Sequence, residues 1–408
     1  MREGSLEFHR TFGLGGAAAL LIVIQCITGI LLRYYYEPFP GRAYESIVML
    51  QNNVLFGRFV RNFHHWSGVF LVMITFLHLL RVFLTGAYRD SRKISWLVGL
   101  LLLVLVVLSN FTGYLLPWDQ LAYWAITVST SILQYVPLIG DSLREFVIAG
   151  KEVDANTLLA FYGLHTAVFP IVLLVLMFYH FWRVRKAGGV LIPDNVGKQE
   201  YVPTIPNLVY REGVAALVVI AVVFAFSAFA GAPLLDRANP NYSLNPTKAP
   251  WYFAGIQELL MHFHPLFAAF IIPMAAMALV ASLPYLKYDQ KPSGLWFHSE
   301  SGKRSAKMAA IVGALVTISG IVANEYVVDF EKLLPALPAV VSNGLIPFLI
   351  ILVFLYGFFR YIVRRFVLST IEAVQALCIV VVTAFIILTL TGIVFRGMDM
   401  ALTIPWGL

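Results

Sequence analysis

The apolar positions of this chain fall into long runs separated by shorter polar segments. Each run can cross a bilayer as a helix, because a hydrocarbon core about 30 Å thick needs about 20 apolar residues. The pattern predicts an all-α, polytopic transmembrane helix bundle with about nine spans. The predicted spans cover residues 13–33, 62–84, 95–116, 158–183, 213–232, 265–284, 306–326, 345–363 and 371–395, and the seventh carries Asn324 and Glu325 at its end.

Composition supports this class. Of 408 residues, 60% are hydrophobic and 12% are charged, which excludes a soluble globular protein. The net charge of +7 does not indicate nucleic acid, because Lys and Arg concentrate in segments that a cytoplasmic N-terminus places inside. We therefore expect a multi-pass protein of a prokaryotic cytoplasmic membrane, with the C-terminus outside. Cys26 and Cys378 lie in apolar runs and are expected to pack there.

Two pairs of histidines lie inside these apolar runs. His64 and His78 are 14 residues apart, and His165 and His180 are 15 apart. At about 100° per residue, each spacing returns near the same helix face about 21–22 Å further along. Polar residues in lipid are costly and usually mark a site. Two such helices could hold two six-coordinate haems, one near each membrane surface. His65 is rotated off this face and is expected to pack.

Glycines repeat the spacing of the histidines. Gly15 and Gly29 are 14 residues apart in the first span, and Gly99 and Gly113 are 14 apart in the third. Glycine lets a flat group or another helix approach closely, so these positions are expected to lie where porphyrins would press. Small-residue helix packing is the alternative. Arg61 and Arg81 lie three residues outside the His64–His78 pair and could bind haem propionates or anchor the helix at the interface.

These residues resemble the cytochrome b family, the membrane subunit of quinol:cytochrome c oxidoreductases. The resemblance rests on five segments and covers residues 8–187 clearly and 193–285 more weakly. They are Gln25-Cys-Ile-Thr28-Gly29, Arg61-Asn-Phe-His64-His-Trp-Ser-Gly68 with His78 and Arg81, Gly113-Tyr-Leu-Leu-Pro117-Trp118-Asp-Gln120 with Tyr123-Trp124, Phe161-Tyr-Gly-Leu-His165-Thr, and Ala249-Pro250-Trp251-Tyr252-Phe253. The fourth segment is similar to the chloroplast-type branch.

The resemblance implies three regions. Residues 1–192 would form a di-haem four-helix domain, residues 193–330 a second domain with an outer quinol-site loop, and residues 331–408 an additional pair of spans. A proline-containing cytoplasmic linker, Gly188–Arg211, follows the fourth span. Two long outer loops, Pro117–Thr157 and Ala232–His264, carry clustered aromatic residues and are expected to be functional.

The resemblance also implies cofactors and partners. His64 and His165 would ligate an outer, low-potential haem b, and His78 and His180 an inner, high-potential one. Quinol would be oxidised between the segments Pro117–Tyr123 and Pro250–Phe253, with one electron going to a Rieske iron–sulfur protein and on to a c-type cytochrome. The other would cross both haems to an inner quinone in a Q cycle that translocates protons. A homodimer is implied too. His9, Arg10 and Arg183 lie near the inner surface.

Three departures from the family pattern change these expectations. Gly13 stands where the chloroplast-type branch has a haem-tethering cysteine, so no covalent extra haem is expected. Both halves are fused in one chain. The family's Pro-Glu-Trp-Tyr is matched here by Ala249-Pro250-Trp251-Tyr252, so the Glu before Trp251 is absent, which weakly favours menaquinol. Glu258, seven residues after Trp251, is the predicted proton acceptor, with His262 and His264 as alternatives. Asp119 could line the proton exit or cap a helix.

Two other functions compete with this interpretation. A di-haem conduit serving a membrane dehydrogenase would use the same four histidines but not both outer loops. A haem-free transporter would use intramembrane histidines to relay protons. The glycine spacing and the aromatic loop segments favour the cytochrome b interpretation over both.

Overall fold

The computed structural model describes residues 2–4, 11–191, 201–292, 294–297 and 299–404. Within these ranges, nine helices are long and apolar enough to cross a membrane. They are Leu14–Arg33, Gly57–Leu84, Asp90–Leu115, Ala155–Lys186, Val209–Phe229, Phe267–Tyr285, Glu300–Tyr326, Val341–Phe366 and Thr370–Phe395. The predicted polytopic all-α bundle is therefore confirmed, and the seventh span is among the nine. His9 and Arg10 lie outside the described residues.

The helices are labelled in chain order. They are α1 (Leu14–Arg33), α2 (Ala43–Asn53), α3 (Gly57–Leu84), α4 (Lys93–Leu115), α5 (Gln120–Ser131), α6 (Gly140–Ile148), α7 (Ala155–Gly163), α8 (Phe169–Lys186), α9 (Thr204–Phe229), α10 (Trp251–His262), α11 (Ile272–Ser282), α12 (Glu300–Tyr326), α13 (Phe330–Leu333), α14 (Ile346–Phe366) and α15 (Thr370–Leu390). Four π turns occupy Leu164–Val168, Phe267–Ile271, Val341–Leu345 and Thr391–Phe395. Strands β1 (Arg2–Gly4) and β2 (Tyr201–Pro203) pair antiparallel.

The chain divides into two compact units. Unit 1 comprises Met1–Ile126, Glu145–Tyr242 and Pro292–Trp296, and unit 2 comprises Thr127–Arg144, Ser243–Lys291 and Phe297–Leu408. The three regions expected from the sequence, 1–192, 193–330 and 331–408, stay a prediction.

Unit 1 is built around a bundle of α1, α3, α4 and the continuous α7–α8 span. The buried residues of α1, among them Ala17, Leu21, Ile24 and Thr28, recur every three or four positions and form the stripe that packs on α3. At one end of the bundle, Leu115, Trp118 and Phe161 belong to a core that also includes residues of the following loop. The bundle therefore has a fixed axial register between α1, α3, α4 and α8.

Unit 2 is built on the close packing of α12 against α15. Small residues line this contact, and a Cβ added at Gly313 would lie 3.0 Å from the carbonyl oxygen of Val380. Helices in lipid associate through such close approach, since no hydrophobic force drives them together there. Helix α10 packs on α15 and on the π turn Thr391–Phe395, where Gly392 approaches the Ala254 carbonyl. This packing fixes α10 beside the residues that follow the last span.

Candidate functional site

His64 and His165, called the outer pair after the expectation above, as His78 and His180 are called the inner pair, lie between α3 and the π turn that begins α8. The ring centroids of His64 and His165 are 6.1 Å apart, with the ring planes at 83°. With metal–nitrogen bonds of about 2 Å, this separation leaves room for one metal ion between the two rings. Both rings lie inside the bundle, away from any carboxylate that could pair with them in the described residues. The pair can therefore supply two neutral nitrogen ligands from opposite helices.

Hydrogen bonds decide which nitrogen of each ring is available. His64 Nδ1 lies 2.8 Å from the Thr28 hydroxyl, which itself donates to the Ile24 carbonyl and so accepts from the histidine. His165 Nδ1 donates to the Ser109 carbonyl over 2.9 Å. Because Nδ1 is engaged in both rings, Nε2 is left as the ligand atom in each. Such outer hydrogen bonds orient metal-binding imidazoles in many proteins.

The inner pair consists of His78 on α3 and His180 on α8. Each lies within electrostatic range of the other, and Arg81 lies close to His78 in the last turn of α3. The four histidines thus form two opposed pairs at two depths of one bundle.

Each of the four predicted glycines lies opposite one histidine. A Cβ would lie 3.4 Å from His64 Cε1 if added at Gly29, and 2.5 Å from His165 Cε1 if added at Gly113. The corresponding distances are 3.2 Å from Gly15 to His78 Cε1 and 3.4 Å from Gly99 to His180 Cε1. Side chains at these positions would occupy the space beside the imidazoles. The glycines therefore remove side chains that would obstruct a flat group held by these histidines.

A π turn explains the unequal histidine spacing. His165 lies within Leu164–Val168, the π turn that joins α7 to α8. A π turn accommodates one extra residue without moving the rest of the helix face. The 15-residue separation of His165 and His180 is thereby brought close to the 14-residue register of His64 and His78.

Several polar residues near the histidine pairs bond to the surrounding protein and are not themselves candidate ligands. Gln25 donates to the His64 carbonyl and to the Ser67 hydroxyl, both over 2.6 Å, and so fixes the α3 backbone at the outer histidine. Arg61 is buried and donates to the carbonyls of Ala232 and Pro233, 2.9 and 2.5 Å away. In the described residues it therefore holds the backbone that follows α9.

Sequence reasoning did not single out Glu212 of α9, whose carboxylate meets α1 one residue from the glycine opposite His78. Glu212 on α9 lies directly against Gly16, where an added Cβ would clash with the carboxylate. Gly16 is next to Gly15, which lies opposite His78. The available signal was the Gly15-Gly16 pair together with a lone acid inside the fifth span. Arg183, which the sequence analysis expects near the inner surface, contacts the ring of Trp182.

The segment after α4 is held by Asp119 and Gln120. Asp119 accepts from the backbone N–H groups of Ala122 and Leu235, so it caps α5 and also fixes the chain beyond α9. Burial raises the pKa of Asp119, and these hydrogen bonds only partly oppose that effect. Trp118 is buried with φ of 52°, and its ring contacts Tyr123 edge-on at 5.8 Å.

The segment before α10 carries the second group of aromatic residues. Pro250 precedes the first turn of α10, and the rings of Trp251 and Tyr252 lie 5.8 Å apart. Gln257 accepts from the Ala249 N–H and donates to the Thr247 carbonyl, which ties this segment to the helix that it begins.

Unit 2 contains a buried ionic cluster around Glu258. The side chains of Glu258 and Arg396 are both fully buried, and Arg396 Nη2 donates to Glu258 Oε1 over 2.6 Å while Nε donates to Oε2 over 2.9 Å. His262 Nε2 lies 3.0 Å from Glu258 Oε1, and Arg396 Nη1 lies 3.0 Å from Glu325 Oε2. We call Glu258, His262, Glu325 and Arg396 the α10 cluster.

The charges in the α10 cluster determine the ionisation of Glu258. Burial favours the neutral acid, but hydrogen bonds from His262 and Arg396 and the charge of Arg396 together hold the pKa of Glu258 below its ordinary value. Hydrogen bonds to both carboxylates likewise outweigh burial and raise the pKa of Arg396. Glu258 is therefore a paired carboxylate. The sequence pointed to Glu258 and His262 but not to Arg396.

His264 lies apart from the α10 cluster. Its ring packs edge-on against Tyr135 at 5.5 Å, and its Nδ1 accepts from the Leu266 N–H. Burial lowers the pKa of His264, with Glu331 acting in the opposite sense.

The chain is similar to cytochrome b proteins. Residues 3–188 match the family profile described as cytochrome b/b6/petB. Cytochrome b6 of Heliomicrobium gestii is 41% identical over 177 residues, which are 43% of this chain and 83% of that protein. Cytochrome b6 of Rippkaea orientalis is 39% identical over 175 residues, 43% of this chain and 79% of that protein. A chain of a hyperthermophilic respiratory Complex III shares the fold, with a TM-score of 0.68, 24% identity and coverage of 94% of this chain and 93% of that one.

Proposed function

Because this chain belongs to the cytochrome b/b6 family, we propose that it holds two haem b groups, one between His64 and His165 and one between His78 and His180. Membership makes it an integral membrane, haem b-binding electron-transfer protein. The observation that carries the two-haem proposal is the placement of one glycine opposite each of the four histidines.

The chain's own residues prepare both sites. Thr28 and Ser109 hold the outer imidazoles through Nδ1, which leaves Nε2 as the ligand atom, and the glycines carry no side chain that would crowd the rings. The apolar helices around them exclude water and lower the local polarity. When bound, the haems supply one-electron carriers at two depths of the membrane. Arg61 and Arg81 remain candidates to bind propionates.

We propose quinol as the electron donor. Trp118 and Tyr123 in unit 1 and Pro250, Trp251 and Tyr252 in unit 2 belong to the segments that resemble the family's quinol-oxidising loops. Glu258 and its neighbours offer titratable groups at the end of α10 for the protons that quinol releases. Menaquinol is the favoured quinol. Inner quinone reduction and a Q cycle complete the proposed reaction.

The proposed setting is a Rieske/cytochrome b complex of a prokaryotic cytoplasmic membrane, with the N-terminus inside. A Rieske iron–sulfur protein, a c-type cytochrome and a second copy of this chain are the proposed partners. A di-haem conduit for a dehydrogenase is the alternative, and it would need no Rieske partner.

A spectroscopic measurement tests the proposal. The chain is purified and its pyridine haemochrome content is measured with a dithionite-minus-ascorbate difference spectrum. We expect two b haems per chain with separate potentials. One haem would overturn one histidine pair, and no haem would overturn the electron-transfer site as a whole. Quinol-dependent reduction of a c-type cytochrome, with and without the Rieske protein, separates the bifurcating complex from a simple conduit.

A further inference from the structure

The contacts of His262 hold a neutral ring with Nδ1–H directed at Asn324 and with Nε2 facing the Glu258 carboxylate. Nδ1 lies 2.7 Å from Asn324 Oδ1, and Nε2 lies 3.0 Å from Glu258 Oε1. The Asn324 amide is oriented by its own Nδ2, which donates to the Val328 carbonyl, so Oδ1 is the atom that meets His262. Both oxygens are acceptors, and Arg396 Nη2 lies 3.4 Å from Nε2 as a more distant donor. A neutral imidazole has one N–H and satisfies one of them, whereas an imidazolium satisfies both.

The charge balance of the α10 cluster also favours a proton on His262. Arg396 pairs with Glu258 and also with Glu325, so one guanidinium meets two carboxylates. With His262 neutral, the cluster carries one net negative charge shared by Glu258, which is fully buried, and Glu325, which is 23% exposed, so a proton on His262 is favourable. With His262 protonated, two positive and two negative charges balance. The charged and titratable groups that contact His262 are Glu258 on the same helix and Arg396 after the last span, and α12 contributes Asn324 directly and Glu325 through Arg396.

We propose that His262 is the group that takes up a proton released by quinol, and that Arg396 and Asn324 are positioning residues that assign this role to it. The inference rests on the proposed quinol oxidation and deepens it. Arg396 keeps Glu258 ionised, so the carboxylate stabilises the proton on His262 instead of carrying it. In the step, a quinol O–H bond breaks, its electron pair stays on the quinol oxygen, and the proton forms a new N–H bond at Nε2.

The same geometry provides a path for the proton to leave His262. Asn324 and Glu325 line a cavity of about 640 Å³ together with Met261, Asp329, Lys332 and Asn343. The Nδ1 side of His262 therefore contacts a residue of the cavity wall, while the Nε2 side contacts buried Glu258. An imidazole that gains a proton on one nitrogen and releases one from the other passes it from the buried side to this cavity.

The pH dependence of quinol oxidation tests the assignment. Haem-loaded complexes carrying the wild-type chain, His262→Asn, Glu258→Gln or Asn324→Asp are compared with a short-chain naphthoquinol, using kcat/KM across pH. In the wild type, we expect kcat/KM to fall about tenfold per pH unit on the acid side, because a base that is already protonated cannot accept the quinol proton. We expect His262→Asn to abolish that limb and to lower the plateau at least tenfold.

The other two variants shift the limb in opposite directions. Glu258→Gln removes a negative charge from Nε2, so protonated His262 is less stable and the limb moves to lower pH by about one unit. Asn324→Asp adds a negative charge at Nδ1, so the limb moves to higher pH by about one unit. Lys303→Gln, at an exposed pair with Glu300, is the matched control and should leave the profile unchanged. A merely structural role would not produce shifts of opposite sign.

Each result supports or overturns the assignment of His262. An acid limb that persists in His262→Asn, or that vanishes in His264→Asn instead, overturns the assignment while quinol oxidation stands. A wild-type complex that holds its haems and does not oxidise quinol refutes the proposed function itself. Infrared pH-difference spectra without quinol provide an independent readout. The wild type should show imidazolium bands that His262→Asn lacks, and a Glu258 carboxylic acid band in the activity range, absent from Glu258→Gln, would overturn the inference.

Discussion

The two compact units satisfy their buried polar residues in different ways. In unit 1, Nδ1 of His64 and Nδ1 of His165 are hydrogen-bonded to protein groups, and glycines stand opposite the rings. In unit 2, Glu258 and Arg396 are bonded to each other and to further protein groups. Buried polar atoms must find partners in either case, because leaving them unpaired is costly.

The difference distinguishes a site whose polar groups are suited to bind a cofactor from one whose polar groups are bonded to other protein groups. Glycines opposite a histidine leave out side chains where a ligand would bind. A guanidinium between two carboxylates instead satisfies those carboxylates with a protein group. A glycine register therefore indicates a large ligand, and a closed charge network indicates proton or structural chemistry.

The largest expected effect comes from removing a histidine of unit 1. In His165→Leu, the outer site loses one of two nitrogen ligands, so we expect one of the two b haems and all quinol oxidation to be lost. Pyridine haemochrome content per chain measures this. His65→Asn is the matched control, since His65 contacts the Trp66 ring and lies off the ligand face. Two haems in His165→Leu would contradict the assignment.

Removing the arginine of unit 2 should have a large effect on stability. In Arg396→Gln, Glu258 stays buried without its main partner, and the free energy of unfolding should fall by about 3–5 kcal/mol. Denaturant unfolding in detergent measures it. Lys332→Gln, at an exposed pair with Asp329, should leave the free energy of unfolding nearly unchanged. Equal losses in the two variants would mean that the α10 cluster is not a stabilising network.

Adding a methyl group at the glycines should have effects graded by the available space. Gly113→Ala places a Cβ 2.5 Å from His165 Cε1, whereas Gly99→Ala places one 3.4 Å from His180 Cε1. We expect Gly113→Ala to cost about 1–3 kcal/mol in outer-haem retention and Gly99→Ala to cost less. Haem loss during denaturant titration reports this order. The reverse order would show that the rings do not set the limit.

The smallest effect concerns acid stability. The pKa of Glu258 is lower in the folded chain than in the unfolded one, so its carboxylate stabilises the fold above about pH 4.3. This contribution is lost as pH falls through the folded pKa. Thermal unfolding at several pH values below about 5 should therefore show a steeper loss in the wild type than in Glu258→Gln. Parallel curves would contradict an ionised, paired Glu258.

Much of unit 1 was predictable from sequence because its rules are periodic. Helix geometry places residues 14 apart on nearly one face. The sequence therefore indicated that the four histidines and the four glycines share the same axial spacing. It did not indicate the π turn at His165, because one inserted residue leaves no distinct hydrophobic pattern. It also gave no contact for Arg61, which bonds to carbonyls far along the chain.

Unit 2 was less predictable for a related reason. Glu258 and His262 were identified as candidates, but their state depends on Arg396, more than 130 residues away in sequence. No short-range pattern connects them. Asn324 and Glu325 looked like polar ends of a span and instead bond to His262 and Arg396.

The sequence by itself determined the membrane class, the spans, the histidine pairs and the glycine register, because these follow from hydropathy and helix period. Only the tertiary structure decided which nitrogen of His64 and His165 is available and which partner holds Glu258 ionised. Those outcomes depend on contacts between residues distant in sequence, and hydrogen bonds and charges act over a few ångströms in space.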